Sequence, residues 1–297
     1  MAENVRPFAP FRNINAKIAA VPMILTSVVG FVGCSIWSIV YSFTSSASLP
    51  VLDFVGLKNY ARLFADSRWI ISVNNILFYA GFSLFFSFTV GFVLAAFMDQ
   101  KIRFENTFRT IYLYPFALSF IVTGLVWQWM LNPTLGIQQS MRSLGWESFT
   151  FDLIGNKNTV FYAILIAGVW QGTGFVMALM LAGLRTIGDD IWNASRVDGI
   201  PKWRTYVSIV LPMMRPVLIT SMVLVSAGIV RLYDLVVALT QGGPGVASEV
   251  PAKYVYDYLF ARGNLGLGLA ASTVMLVTVF IILIPWMYYE YGPKKKI

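Results

Sequence analysis

The sequence contains no histidine and one cysteine, Cys34, in 297 residues. The first absence excludes Ser-His-Asp catalysis and imidazole metal sites, and the second excludes an internal disulfide framework. Charge is also scarce. Asp, Glu, Lys and Arg make up 12% of the chain, about half of the roughly 25% usual in soluble domains. There is no G-x-x-x-x-G-K-[ST] phosphate loop, no carboxylate pair flanking a cleft and no metal-ligand cluster. A chain with these gaps is expected to be no enzyme and to bind no metal or cofactor itself, so uphill work by it would need an ion gradient or another subunit.

What fills the sequence is apolar: 57% of residues are hydrophobic and 15% aromatic. Uncharged runs occupy Ile18 to Leu52, Trp69 to Met98, Thr110 to Met141, Asn158 to Leu184 and Gly263 to Tyr289. A sixth stretch, Leu211 to Thr240, is equally apolar but holds Arg215, Arg231 and Asp234. Each exceeds the ~20 residues that cross a ~30 Å hydrocarbon core. Lipid-exposed backbone must satisfy its own hydrogen bonds, so the spans are expected to be helices. The fold class that follows is an all-α integral membrane protein with six transmembrane helices. Residues 1–17 are expected to form a cytoplasmic tail, 18–290 the transmembrane domain and 291–297 a basic cytoplasmic tail. The first run is too long for a signal-peptide core and is read as an uncleaved span.

The net charge of +8 reflects topology rather than nucleic-acid binding. Arg6, Arg12, Lys17, Lys101, Arg103, Arg109, the five basic residues between Arg185 and Arg215, and Lys294 to Lys296 fall on one side. The other side has half as many, from Lys58 to Arg262. By the positive-inside rule both termini are expected in the cytoplasm, and the membrane is read as a bacterial inner membrane.

Along the chain, Leu57, Tyr60, Ala61 and Phe64 recur at helical spacing, which predicts a short amphipathic helix in the first outer loop. Gly81, Ser83, Ser87 and Gly91 give span two a face for close helix packing. Span three, about Ile111 to Leu131, contains Pro115 and ends at Asn132-Pro133. Span four, about Val160 to Leu184, is expected to be interrupted at Gln171-Gly172-Thr173-Gly174. Arg231 and Asp234, roughly 24 and 28 Å along a continuous span five from Arg215, are expected near the outer interface, as snorkelling residues or as functional ones.

The loop of residues 185–212 reads as helix–Gly–helix. Asp189 and Asp190 suit a helix first turn, Gly199 a helix end and Pro201 the N1 position of the next helix. Its segment Asn193-Ala194-Ser195-Arg196-Val197-Asp198-Gly199, followed by Ile209-Val210-Leu211-Pro212, resembles the EAA loop of ABC importer permeases. That pattern is Glu-Ala-Ala, three residues, Gly, nine residues, Ile, one residue, Leu-Pro. Asn193 and Ser195 depart from it. Phe54-Val-Gly-Leu-Lys-Asn-Tyr60, Leu131-Asn-Pro with Gly136, Leu181-Ala-Gly-Leu184, and Thr240-Gln-Gly-Gly-Pro244 with Tyr254-Val-Tyr256 resemble segments of the carbohydrate-importer branch.

The resemblance implies that Asn193 to Pro201 (including Ile200), with Leu211 and Pro212, contact a dimeric cytoplasmic ATPase that supplies ATP and Mg chemistry. It implies a second permease subunit and a periplasmic or lipid-anchored sugar-binding protein as further partners, all set in membrane lipid. A sugar also needs aromatic faces beside amides and hydroxyls. The candidates for the substrate pathway are Ser119, Trp127 and Gln128 in span three; Trp170, Gln171, Gly172, Thr173 and Phe175 in span four; and Arg231, Tyr233 and Asp234 in span five. Open alternatives are an interfacial belt for Trp127 and an interhelical hydrogen bond for Gln171 and Thr173. At the level of function they are a permease for a non-sugar solute such as glycerol phosphate, or a self-contained secondary transporter.

Overall fold

The computed structural model describes residues 14–100 and 102–291. Residues 1–13 of the N-terminal tail, Lys101 and residues 292–297 of the basic C-terminal tail lie outside these. In chain order the helices are α1 (Ile18–Ser42), α2 (Lys58–Ala65), α3 (Ser67–Met98), α4 (Glu105–Ala117), α5 (Phe120–Met130), α6 (Ile137–Ser143) and α7 (Val160–Leu184). They continue as α8 (Asp189–Val197), α9 (Lys202–Met213), α10 (Arg215–Val230), α11 (Asp234–Thr240), α12 (Pro251–Tyr256) and α13 (Leu265–Tyr291). The described residues hold no strand, only an isolated bridge between Thr44 and Phe54. Helices α1, α3, α7 and α13 are long and apolar enough to cross a membrane, and the pairs α4–α5 and α9–α10 pass the same test as broken spans, bent by 95° and 74°. Up to six crossings result.

Helix α7 is the hub. Sixteen of its residues are buried, whereas α1 exposes Val29, Phe31 and Ile36. The closest partner of α7 is α3, whose buried stripe Ser72, Tyr79, Ser83, Ser87, Gly91 and Ala95 repeats at helical spacing. Small side chains on that stripe let two backbones approach where lipid gives no hydrophobic drive.

Two expectations are corrected here. First, α7 runs unbroken through Gln171-Gly172-Thr173-Gly174. Its glycine serves packing, since a Cβ on Gly174 would fall 2.0 Å from the Tyr112 carbonyl oxygen. Second, span three is the broken one. Pro115 lies near the end of α4, and Leu118 and Ser119 are extended at ψ 147° and 149°. The Ser119 hydroxyl then caps α5 by accepting from the Val122 amide at 3.2 Å. The predicted outer-loop helix is α2. It buries Asn59 and Leu63 while Leu57 and Phe64 stay exposed.

The N-terminal end of α3 is tied to the connector before α13 by charge. Arg68 binds Glu249 and Asp257, each at 2.7 Å. Asp66 accepts from the Tyr254 and Tyr258 hydroxyls at 2.7 and 2.8 Å. Burial alone would raise the Asp66 and Asp257 carboxyls, but those hydroxyls on Asp66, the Lys253 and Arg68 bonds on Asp257, and the cationic charge nearby hold both below the usual carboxylate value.

Candidate functional site

The breaks in spans three and five meet at one cavity. Helix α10 stops at Val230, Tyr233 takes φ −137° and ψ −62°, and α11 restarts at Asp234. Span five is therefore not the continuous helix expected from Arg215 onward. Arg231 and Asp234 line the same cavity as Gln171, which sits near the middle of α7. The half-helices α5 and α11, which follow the two breaks, pack so tightly that a Cβ on Gly124 would meet the Ala238 Cβ at 2.5 Å.

The cavity is about 510 Å³. Its wall mixes Phe116, Phe120 and Phe175 with Ser83, Gln171 and Arg231. Phe116 and Phe175 stack at 4.7 Å with their planes 13° apart. Gln171 is 2% exposed. Its Nε2 donates to the Leu118 carbonyl at 2.7 Å, the acceptor freed where span three breaks. Its Oε1 has no hydrogen-bond partner among the described residues. Aromatic faces, hydroxyls and one charge of each sign form a surface suited to a polyhydroxylated ring.

The sequence candidates divide between two places. Gln171, Gly172, Phe175, Arg231, Tyr233 and Asp234 line this cavity, whereas Ser119, between the lining residues Phe116 and Phe120 in sequence, does not itself line it. Trp127, Trp170 and Thr173 line a separate apolar groove of about 790 Å³ with Phe82, Phe86 and Tyr162. There Trp127 and Trp170 meet edge to face at 5.9 Å, and the Thr173 hydroxyl donates to the Val169 carbonyl of its own helix at 2.6 Å. Helical periodicity explains the split, because 166, 169, 170 and 173 share one face of α7 whereas 168, 171 and 175 share another. Gln128 is half-buried and lines neither space. Phe116, Phe120 and Gly228 also line the cavity and were not singled out from the sequence. Pro115 was the available signal for the first two.

At the other end of the bundle, α8 closes with a Schellman motif. The Gly199 amide donates to the Arg196 carbonyl at 3.2 Å and the Ile200 amide to the Ser195 carbonyl at 2.9 Å, with Gly199 at φ +68°. Pro201 is the N-cap of α9, one position before the expected N1. Trp192 packs edge to face on Tyr206 at 5.1 Å, and both rest on a buried cluster containing Met98, Met180, Leu184 and Met214. Ser195 is buried. Asn193, Ala194, Arg196, Val197 and Asp198 are exposed, with Val197 at 87%. Leu211 and Pro212 lie in α9 just before its bend into α10.

Residues 87–297 match the family model described as binding-protein-dependent transport system inner membrane component. The chain is 30% identical over 282 residues to the xylose/arabinose import permease protein XacH of Haloferax volcanii, covering 93% of this chain and 88% of that one. It is 30% identical over 239 residues to the trehalose/maltose transport system permease protein MalF of Thermococcus litoralis, covering 80% of each. Its fold is similar to that of a bacterial ABC transporter structure described as involved in import of the acidic polysaccharide alginate. The TM-score is 0.81 at 18% identity, over 96% of this chain and 97% of that one.

Proposed function

Because this chain belongs to the family of binding-protein-dependent transport system inner membrane components, we propose that it forms one half of the translocation pathway of an ATP-driven sugar importer. It is a multi-pass inner-membrane protein, and its relatives include import permeases for xylose/arabinose and trehalose/maltose. The observation that carries the reading is a mechanical one. An exposed helix, α8, is braced through Trp192 and Tyr206 on the inner ends of α3 and α7, and those same helices line the cavity with Tyr79, Ser83 and Gln171.

In this reading α8 and Pro201 sit in a groove of a cytoplasmic ATPase dimer, and both termini of the chain are cytoplasmic. ATP with Mg is bound and hydrolysed there, outside this chain. Closure of that dimer moves α8, and the packed cluster beneath it carries the displacement to the broken spans, where no flexible linker intervenes to absorb it. A second permease supplies the opposite wall of the cavity, and a sugar-binding protein delivers solute to the outer face. Asn193 stands where the EAA pattern has Glu, so its contact to the ATPase lacks a charge-assisted component.

The test is reconstitution. The chain, its sister permease, the ATPase and the binding protein are placed in proteoliposomes and ATP-dependent accumulation of labelled sugar is measured. Accumulation should need all four components. Accumulation by this chain without the ATPase would overturn the reading in favour of a secondary transporter.

A further inference from the structure

The connector between spans five and six carries two opposed aromatic faces. Tyr254 is fully buried and Tyr258 is 8% exposed. Both turn inward, Tyr254 onto the Trp69 ring at 5.3 Å and both hydroxyls onto Asp66. Tyr256 and Phe260, also four residues apart and so on one helical face, are 47% and 72% exposed. The inward pair accounts for how the connector is anchored. Folding gives no role to the outward pair.

The outward rings are continuous with the cavity. Tyr233, part of the cavity wall, lies 5.4 Å from Tyr256 with ring planes 42° apart. Tyr256 lies 5.0 Å from Phe260 at 44°. Asp234 borders the inner end of this strip and is exposed. Exposed aromatic rings joined in one strip mark a contact surface rather than scattered surface residues.

We propose that Phe260, Tyr256 and Tyr233 form a track along which a sugar ring passes from the outer surface to the cavity. This rests on the sugar-importer reading above. The negative faces of the aromatic rings attract the polarised C–H face of a sugar, while its hydroxyls stay in water or reach the Tyr256 and Tyr233 hydroxyls. Ring contacts of this kind are individually weak, so solute is passed on rather than trapped. The substrate class follows: sugars with one continuous C–H face, in preference to small polyols or charged solutes without one.

The test uses the complete complex in proteoliposomes with labelled xylose, arabinose, trehalose and maltose as probes. Tyr256→Ser and Phe260→Ser should each lower uptake kcat/KM by roughly threefold to tenfold. Tyr256→Phe and Phe260→Tyr should restore it, and co-purification of the sister permease should persist throughout. Native uptake kinetics in both serine variants would overturn the track while leaving the importer reading intact. Loss of the sister permease from the serine variants would also overturn it, assigning the strip to a contact between permeases. Failure of the unaltered complex to accumulate any of the four probes would sink the sugar reading and the track with it.

Discussion

Gln171 donates its side-chain amide to the Leu118 carbonyl at 2.7 Å, so the middle of α7 closes a backbone gap in a neighbouring span. The bend of 95° between α4 and α5 frees carbonyls that lipid cannot satisfy. Gln171→Leu leaves the Leu118 carbonyl without its partner at a part-buried site. Interhelical hydrogen bonds in membrane proteins average about 0.6 kcal/mol and reach about 1.7, and an orphaned buried acceptor costs about 1–3 kcal/mol. The expected loss is about 1–2 kcal/mol, read as a lower Tm of the purified complex. Gln171→Met, which keeps the length of the side chain but has no hydrogen to donate, should not recover it. Unchanged stability in both variants would contradict this role.

Gly199 is a different kind of constraint. A Cβ there meets nothing within 4 Å, so space is not the issue. The backbone at φ +68° is. An L side chain in this conformation costs roughly 1–2 kcal/mol, and Asn tolerates it better than Ala. Gly199→Ala should fray the end of α8 and lower ATP-driven uptake more than it lowers complex yield, with Gly199→Asn intermediate. Equal uptake by Gly199→Ala and the native chain would show that the shape of this end is not needed for coupling.

The charge cluster around Arg68 gives a pH prediction with a definite sign. Asp66 and Asp257 are held below their ordinary value of 3.8. A carboxyl depressed in the folded state stabilises it fully above the unfolded value, and that contribution is lost as pH falls through the folded value. Tm should therefore be insensitive to these two groups near neutral pH and drop once pH falls below about 4. Asp257→Asn should lower Tm at neutral pH and flatten the acid drop. Glu249 is 1% exposed and paired with Arg68. Arg68→Met therefore leaves a buried charge uncompensated, at a cost of about 3–5 kcal/mol, and Arg68→Met with Glu249→Gln should recover most of it. A double variant no more stable than Arg68→Met would refute the pairing argument.

The number of apolar runs and the helix–Gly–helix at 185–212 were legible in the sequence because each depends on local composition: run length, a Gly end and a Pro start. The breaks were not. Gln171-Gly172-Thr173-Gly174 looks like an interruption by propensity, yet α7 stays helical because its neighbours approach closely there and its backbone bonds are all internal. Leu118-Ser119 looks ordinary. It breaks where Gln171, 53 positions away, satisfies the freed carbonyl and the Ser119 hydroxyl caps the restarted helix. A pairing at that separation has no periodic signature. The assignment of α7 faces was in principle readable, since Trp170 and Gln171 are adjacent and adjacent helical residues diverge by about 100°. Treating them as one cluster joined residues that line two different spaces.

Two glycines of similar sequence context separate folding from transport. Gly124 in α5 lies against α11, with Ala238 Cβ 2.5 Å from where its own Cβ would be. Gly124→Val has to push two half-helices apart, and overpacking of this kind costs about 1–3 kcal/mol or more. Gly228 in α10 lines the cavity and has nothing within 4 Å of an added Cβ. Gly228→Val should fold and assemble like the native chain, since the new side chain enters open space, while narrowing the route past Gln171 and Arg231. Thermal stability and complex yield should fall for Gly124→Val and hold for Gly228→Val, whereas sugar uptake should fall for both. If Gly228→Val assembled normally and transported at the native rate, the cavity between the two breaks would not be the path of the solute.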